Sequence, residues 1–371
     1  MVGNESSTAI FGRRDQGRLS ARHAGDRAAL WGYGHHSTGC CETMSQRWRP
    51  AYIGVLCAMI IVAMVWVSAG EARAQESWPR VELSAGTWIS VGDTRWAHNA
   101  SSNPGLGNPT SKLTYKDVGT NVIDLTGKFW FTPKIFGRLN GGFAGIGGGR
   151  LTDDDFGSGQ RLFSKTISNV PDNNMYYINA DLGGRVREFP NHRGWLDLFG
   201  GYQYWHTEHQ AVGIGQVVCD PGAIPGFSCD PAGTSSLQGE SVITNRANWH
   251  SIRVGASTEY RLTTRLSLLS TLALIPISVL DNKDVHHQRG DLQQSPSFSM
   301  VGYGIGADVD VGARFMITKN LAANLGYRLY YNRMLSGDLT VHPVVASSES
   351  FPLTQFESLR HGFTAGLSLL F

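Results

Sequence analysis

Charge is scarce in this chain. Of 371 residues only 17% are Asp, Glu, Lys or Arg, against roughly 25% in an ordinary soluble domain. The net surplus at pH 7 is +2. A coiled coil or a charged disordered chain needs more charge than this, and so small a surplus leaves no electrostatic footprint for nucleic acid, which is not expected as a partner. Cysteine is rarer still, with 5 residues. After Ala74 no apolar run is long enough for a membrane-spanning helix. What the chain has in abundance is glycine, 45 residues, well above the usual ~7%. Few charges and many glycines fit an all-β protein with many turns and a polar interior hidden from solvent.

The N-terminal part stands apart. Residues 1–43 show no clear apolar period and are rich in Gly, Arg, Ser and His. Met44 opens MSQRWRP, an apolar stretch runs from Ala51 to Ala69, and Ala72-Arg73-Ala74 closes it. A basic start, an apolar middle and a small-x-small exit read as a secretory signal peptide over residues 44–74. A single transmembrane helix is the alternative, since the stretch approaches the ~20 residues a span needs, but the exit motif follows it directly. Translation from Met44 is therefore expected, with 1–43 a non-native or disordered extension. The domain would then be residues 75–371, beginning near Gln75. Cys40, Cys41 and Cys57 fall in the discarded part. The remaining pair, Cys219 and Cys229 in CDPGAIPGFSCDP, reads as one local disulfide formed in an oxidising compartment. Two cysteines with no nearby His are too few ligands for a metal site.

The rest of the chain alternates with period two. Val301, Tyr303, Ile305, Ala307, Val309, Val311, Ala313 and Phe315 share one parity, and Gly302, Gly304, Gly306, Asp308, Asp310, Gly312 and Arg314 the other. Side chains on a strand point alternately to opposite faces, so such segments carry one apolar and one polar wall. A soluble sandwich alternates too, but with strands of about five or six residues. The longer segments here, with aromatics near their ends (Phe129, Trp130, Phe131, Trp195, Tyr260, Phe315), suit membrane-crossing strands. Ten strands are expected, at 80–90, 112–131, 135–147, 175–188, 195–214, 248–262, 265–280, 298–317, 321–341 and 356–371. Short connections alternate with long ones at 91–111, 148–174, 215–247, 281–297 and 342–355. The expected fold is thus a ten-stranded antiparallel transmembrane β-barrel with long extracellular loops, in the bacterial outer membrane. Its narrow lumen would hold Asp124, Lys128, Arg138, Asp181, Arg185, Arg187, Asp197, Glu259, Arg261, Asp308, Asp310, Arg314 and Arg328, paired with one another and leaving no open channel.

Two loops on the same outer end carry acids. One reads Gly149-Arg150-Leu151-Thr152-Asp153-Asp154-Asp155-Phe156, the other Asp281-Asn282-Lys283-Asp284-Val285-His286-His287. Asp153 and Asp155 are two apart, as are Asp284 and His286, so in extended chain each pair points to one side. Facing each other, the pairs would hold a water. A His oriented by an Asp takes its proton and a carboxylate pair positions it for attack on a peptide carbonyl. The plainer alternative is a solvated acidic run and an exposed His pair. Strict alternation from the flanking strands would turn Asp153 and Asp284 outward. Each needs a one-residue slip, for which Gly147–Gly149 and Pro276 are the expected bulge sites.

These segments resemble the omptin family of outer-membrane proteases. Gly149–Phe156 is similar to the omptin loop with an Asp-x-Asp pair before an aromatic, and Asp284-Val285-His286 to its Asp-x-His pair. Gly201-Tyr202-Gln203 is similar to the family's Gly-Tyr-Gln, and Phe298 to Ile317 to the strand after the Asp-x-His loop. The resemblance covers about residues 80–371. It implies a surface endopeptidase in which Asp153, Asp155, Asp284 and His286 activate a water, with no metal or cofactor. It further implies cleavage of peptides or proteins near basic residues, with Asp281 and an acid near Asp93 as pocket carboxylates. Lipopolysaccharide is implied as an activator lying against Tyr202, where Tyr204 and His206 depart from the family pattern. A monomer is expected. The competing expectation is a non-catalytic surface-binding or adhesive protein on the same fold.

Overall fold

The computed structural model describes residues 80–371. The extension 1–43, the signal segment 44–74, the start near Gln75 and Cys40, Cys41 and Cys57 lie outside the described residues. The strands are β1 (Val81–His98), β2 (Leu106–Trp130), β3 (Ile135–Gly147), β4 (Arg150–Gly157), β5 (Arg161–Asn169) and β6 (Asp172–Glu188). After them come β7 (Gly194–Cys219), β8 (Ser235–Arg261), β9 (Leu266–His286), β10 (Phe298–Met316), β11 (Leu321–Val341) and β12 (Glu349–Leu370). They form one antiparallel sheet of twelve strands, in the order β1-β12-β11-β10-β9-β8-β7-β5-β4-β2-β3-β6, with further pairings β1–β2 and β6–β7.

This overturns the expected ten-stranded transmembrane barrel with long loops: the described chain is a twelve-stranded sheet. The two added strands come from 148–174, expected as a loop. There β4 and β5 pair as a hairpin, burying Leu151 and Phe163 completely or nearly so. Other strands outrun their expected ends. β8 starts at Ser235 and β9 runs to His286, and across the sheet the added lengths carry apolar residues that find a buried face, among them Trp96, Leu106, Val242, Ile243, Phe351 and Leu353. The long connections shrink accordingly.

Charge fills one face of the sheet. Lys128 and Arg185 both reach Asp197, at 2.8 and 3.1 Å. Arg138 meets Asp181 at 2.7 Å, and Arg253 bridges Asp181 and Asp308. Arg328 joins Asp124 and Asp310, both at 2.8 Å, and Arg314 joins Glu82 and Glu259. Pairing is what makes so many ions tolerable away from bulk water. Arg187 and Arg261, expected in this set, are exposed instead; a register shift between Arg185 and Arg187 ends the alternation there. Above the ions lies an aromatic layer. Trp205 stacks on Tyr330 at 3.8 Å and on Tyr177 at 5.1 Å, with Trp88 edge-on at 6.1 Å. The opposite face is apolar and exposed: Leu125, Phe143, Leu182, Leu274, Tyr303, Leu325 and Phe363 all stand clear, the last at 68%. An exposed apolar surface of this extent marks contact with a membrane or a partner. No helix among the described residues is long and apolar enough to cross a membrane.

Asp197 is completely buried between two cations. Asp197→Ala strands both charges and is expected to lower unfolding stability by about 3–5 kcal/mol in urea titrations of the detergent-solubilised protein. Asp220→Ala removes an exposed partner of Arg161 and should change it by less than about 1 kcal/mol.

Candidate functional site

Asp284 and Asp153 face inward because the pleat is interrupted on the way to each. On β9 the buried residues are Ala273 and Ile275, then Ser278, Leu280, Asn282 and Asp284. The parity changes across Pro276–Ile277. Both neighbours register the extra residue: Ile252 pairs Ile277 while Val254 pairs Leu274, and Gly304 pairs Ser278 while Gly306 pairs Ile275. Proline cannot donate to the ladder, and a bulge is where a sheet accommodates it. Between β3 and β4 the buried residues pass from Ala144 and Ile146 to Leu151. Gly148 and Gly149 turn the chain there with φ of 86° and 149°, a region side chains with a Cβ avoid.

β4 then lays Asp153 opposite Leu113 and Asp155 opposite Ser111 of β2. A cavity of about 160 Å³ is lined by Asp153, Asp155 and His286 together. Asp284, completely buried, lies behind His286, with His286 Nε2 3.3 Å from Asp284 Oδ1. The second carboxylate oxygen is taken by Asn245, whose Nδ2 donates to Oδ2 at 2.8 Å. Asn245 and Asn282 hold each other by reciprocal amide bonds of 3.2 and 3.0 Å, and neither has any exposed surface. Phe298 packs edge-on to the His286 ring at 4.8 Å.

Burial, then the charges of Asp155 and Asp284, raise the Asp153 carboxyl well above the usual carboxylate range, against the hydrogen bond from Ser111. Asp155 is also raised, chiefly by burial, with Ser111, His286 and Arg289 opposing. Two such groups titrate as a pair, each disfavouring the charge of the other. Asp154 projects to the other side of the strand and meets Lys165 at 3.0 Å. His98, on the cavity wall, is lowered to about 4 by burial and by His286. Tyr115, stacked on His209 at 4.7 Å, is raised by burial and by Asp284 and Asp153.

Asp153, Asp155, Asp284 and His286 are thus brought together, but on strands β4 and β9, not in loops. The two acids expected to take a basic side chain are not with them, and neither lines the cavity. Asp281 has the opposite parity to Asp284 on β9 and lies toward Tyr204. Asp93 sits at a register shift in the β1–β2 pairing, held by Arg95 at 3.2 Å and by the Asp117 backbone N–H at 3.0 Å. Tyr202 lies on the apolar face, 42% exposed, its hydroxyl 2.7 Å from His250 Nδ1. Beside it Tyr204 and His206 both bond Asn248 Oδ1 at 2.8 Å. Cys219 and Cys229 form a disulfide, and the segment it pins brings Phe227 and Cys229 to the cavity wall. Phe227 meets Phe163 edge-on at 4.8 Å. Among the described residues no group of three His, Cys, Asp or Glu is arranged to hold a metal. The supporting residues Asn245, Asn282, Ser111, His98 and Tyr115 escaped the sequence reading. Most of them fall in stretches expected as loops, where alternation gives no cue.

No protein-family model matches the chain, and no curated protein matches it. Among solved structures the chain is similar to the outer membrane protease OmpT from Escherichia coli, at 16% identity and a TM-score of 0.64, over 81% of this chain and 99% of that one. The translocator domain of the autotransporter NalP from Neisseria meningitidis also aligns, at 10% identity over 86% of this chain and 96% of that one, but with a TM-score of 0.33. The first likeness assigns the fold class: an all-β sheet of the kind found in an outer-membrane protease. At that identity it assigns nothing more.

The raised Asp153 has a consequence for stability. Above about pH 4 the unfolded chain releases this proton while the folded state keeps it, so the group's contribution to stability declines as pH rises. Asp153→Asn removes the titration. Its urea midpoint relative to the wild type should rise as pH increases above about 4; a flat or inverse difference would contradict the assignment.

Proposed function

We propose that this protein is an outer-membrane surface endopeptidase of omptin type, activating water between the Asp153/Asp155 pair and a His286 oriented by Asp284. The observation that supports it is the common cavity. Residues from two strands remote in sequence, each brought inward by its own break in the pleat, line one space of about 160 Å³. Asp284 Oδ1 lies 3.3 Å from Nε2 of His286, so its charge favours the imidazolium that forms when the ring's other nitrogen, Nδ1, takes the proton of the attacking water. The Asp153/Asp155 pair positions the water, and whichever carboxyl is protonated donates to the oxyanion that develops on the carbonyl; as the C–N bond breaks, His286 returns the proton it took to the leaving amine. Asn245 and Asn282 fix the Asp284 carboxylate so that its free oxygen meets the imidazole. No covalent intermediate and no metal is needed. An outer-membrane lipid would lie against Tyr202 and its neighbours on the exposed apolar face, and lipopolysaccharide is the additive to include. The preference for basic residues is dropped from this reading, because Asp281 and Asp93 lie elsewhere.

The test is cleavage of a mixed library of quenched fluorescent peptides by protein refolded with lipopolysaccharide. Asp153→Ala and His286→Ala should each lose at least about a hundredfold in rate. Equal rates in all three proteins would end the proteolytic reading and leave the non-catalytic surface-binding one. Asn245→Ala keeps all four acid–base groups but frees Asp284. It is expected to lower kcat about tenfold, the value of one hydrogen bond to a charged group, with KM unchanged.

A further inference from the structure

We propose that the cavity beside Asp153, Asp155 and His286 receives a bulky apolar side chain of the substrate, next to the bond that is cut, and that it rejects lysine and arginine. The inference rests on the endopeptidase reading and adds the substrate class to it.

The argument is one of charge and surface. An ammonium or guanidinium taken out of water needs a carboxylate at hand, or the cost of desolvation is not recovered. Among the described residues Asp153 and Asp155 are the only carboxylates lining this cavity, and the endopeptidase reading commits both to the water and the carbonyl. The two other acids that would supply a counter-charge face elsewhere, Asp93 toward Arg95 and Asp281 toward Tyr204. Asp284 is sealed behind His286 and Asn245 with no exposed surface. Arg289 lines the cavity as well, its guanidinium paired with Asp291 at 2.7 Å, so the pair supplies no spare carboxylate. His98 stays neutral on the wall, its imidazole lowered to about 4 by burial and His286.

The remaining wall is hydrocarbon interleaved with uncharged hydroxyl and amide side chains, among them Thr110, Ser164, Thr166, Ser168 and Gln288. Leu106, Ile214, Phe227, Val242, Ile243 and Phe351 come from four strands and the disulfide-pinned segment to line the same space. All but Phe227 are at most 7% exposed. Burying an aliphatic or aromatic side chain against these residues takes apolar surface out of water on both sides of the contact, which favours binding. A pocket of this chemistry beside the acid–base residues selects Leu, Ile, Met or Phe.

The experiment uses two quenched fluorescent peptides, alike except at the two central residues, Leu-Phe in one and Arg-Arg in the other. Protein refolded with lipopolysaccharide should cut the first with kcat/KM at least about tenfold higher; faster cleavage of the Arg-Arg peptide overturns the proposal. Val242→Glu places a carboxylate on the wall and should shift the ratio toward the Arg-Arg peptide by about tenfold. If that variant does not fold, Phe227→Ala, on the partly exposed segment, should raise KM for the Leu-Phe peptide severalfold and leave the other unchanged. Binding of both peptides to Asp153→Asn, followed by fluorescence of Trp96 and its neighbours, separates the two readings. Tighter binding of the Leu-Phe peptide without cleavage by the wild type upholds the apolar pocket and removes the endopeptidase. Tighter binding of the Arg-Arg peptide, or binding of neither, removes the pocket.

Discussion

The pleat governs this molecule. A strand offers each side chain one of two faces, and the face is set by counting residues from the last fixed point. In a sheet with one apolar exposed face and one charged buried face, an acid on the wrong count would stand among Leu274, Tyr303 and Leu325. Two interruptions put the count right, one at Gly147–Gly149 and one at Pro276–Ile277. Each moves a pair of acid–base side chains from the exposed wall to the enclosed one. The ladder on either side of Pro276 shows the extra residue directly, since both β8 and β10 skip a partner there. The geometry of the site is therefore a property of backbone register before it is one of side-chain chemistry.

Below the site, the ionic layer and the aromatic layer divide the work. The ions satisfy one another in chains that link strands far apart in sequence, such as Arg328 of β11 with Asp124 of β2. Such pairs are specific in partner and poor in net stabilisation. The rings of Trp205, Tyr330, Tyr177 and Trp88 contribute area and rigidity, and they lie where the apolar cluster of the upper strands begins. The Asp284–Asn245–Asn282 set stands on this rigid base. A carboxylate with one oxygen committed to a buried amide has little freedom to turn away from its imidazole.

Much of this was legible in the sequence, and the parts that were not have physical reasons. Period-two alternation located the long strands and the charged face, and the slips required at Pro276 and near Gly148 followed from counting alone. The number of strands did not follow. Residues 148–174 contain a hairpin whose acids and glycines imitate a loop, and its β character depends on partners in β2 and β7. Strand lengths were underestimated for a related reason: polar residues such as Asn245, Asn282 and Ser111 look like loop residues until a buried partner appears. Asp281 was misplaced by a single residue, and in a strand a single residue is the difference between two sides of a wall.

The Cys219–Cys229 link encloses a short segment that reaches the cavity with Phe227 and the apolar core with Ile224. Its ends are fixed 5.9 Å apart at the Cα atoms, its Phe227 leans on Phe163, and none of the twelve strands runs through it. One wall of the cavity is therefore placed by a covalent tie between two loop ends, while the acids on the facing walls are placed by strand register alone.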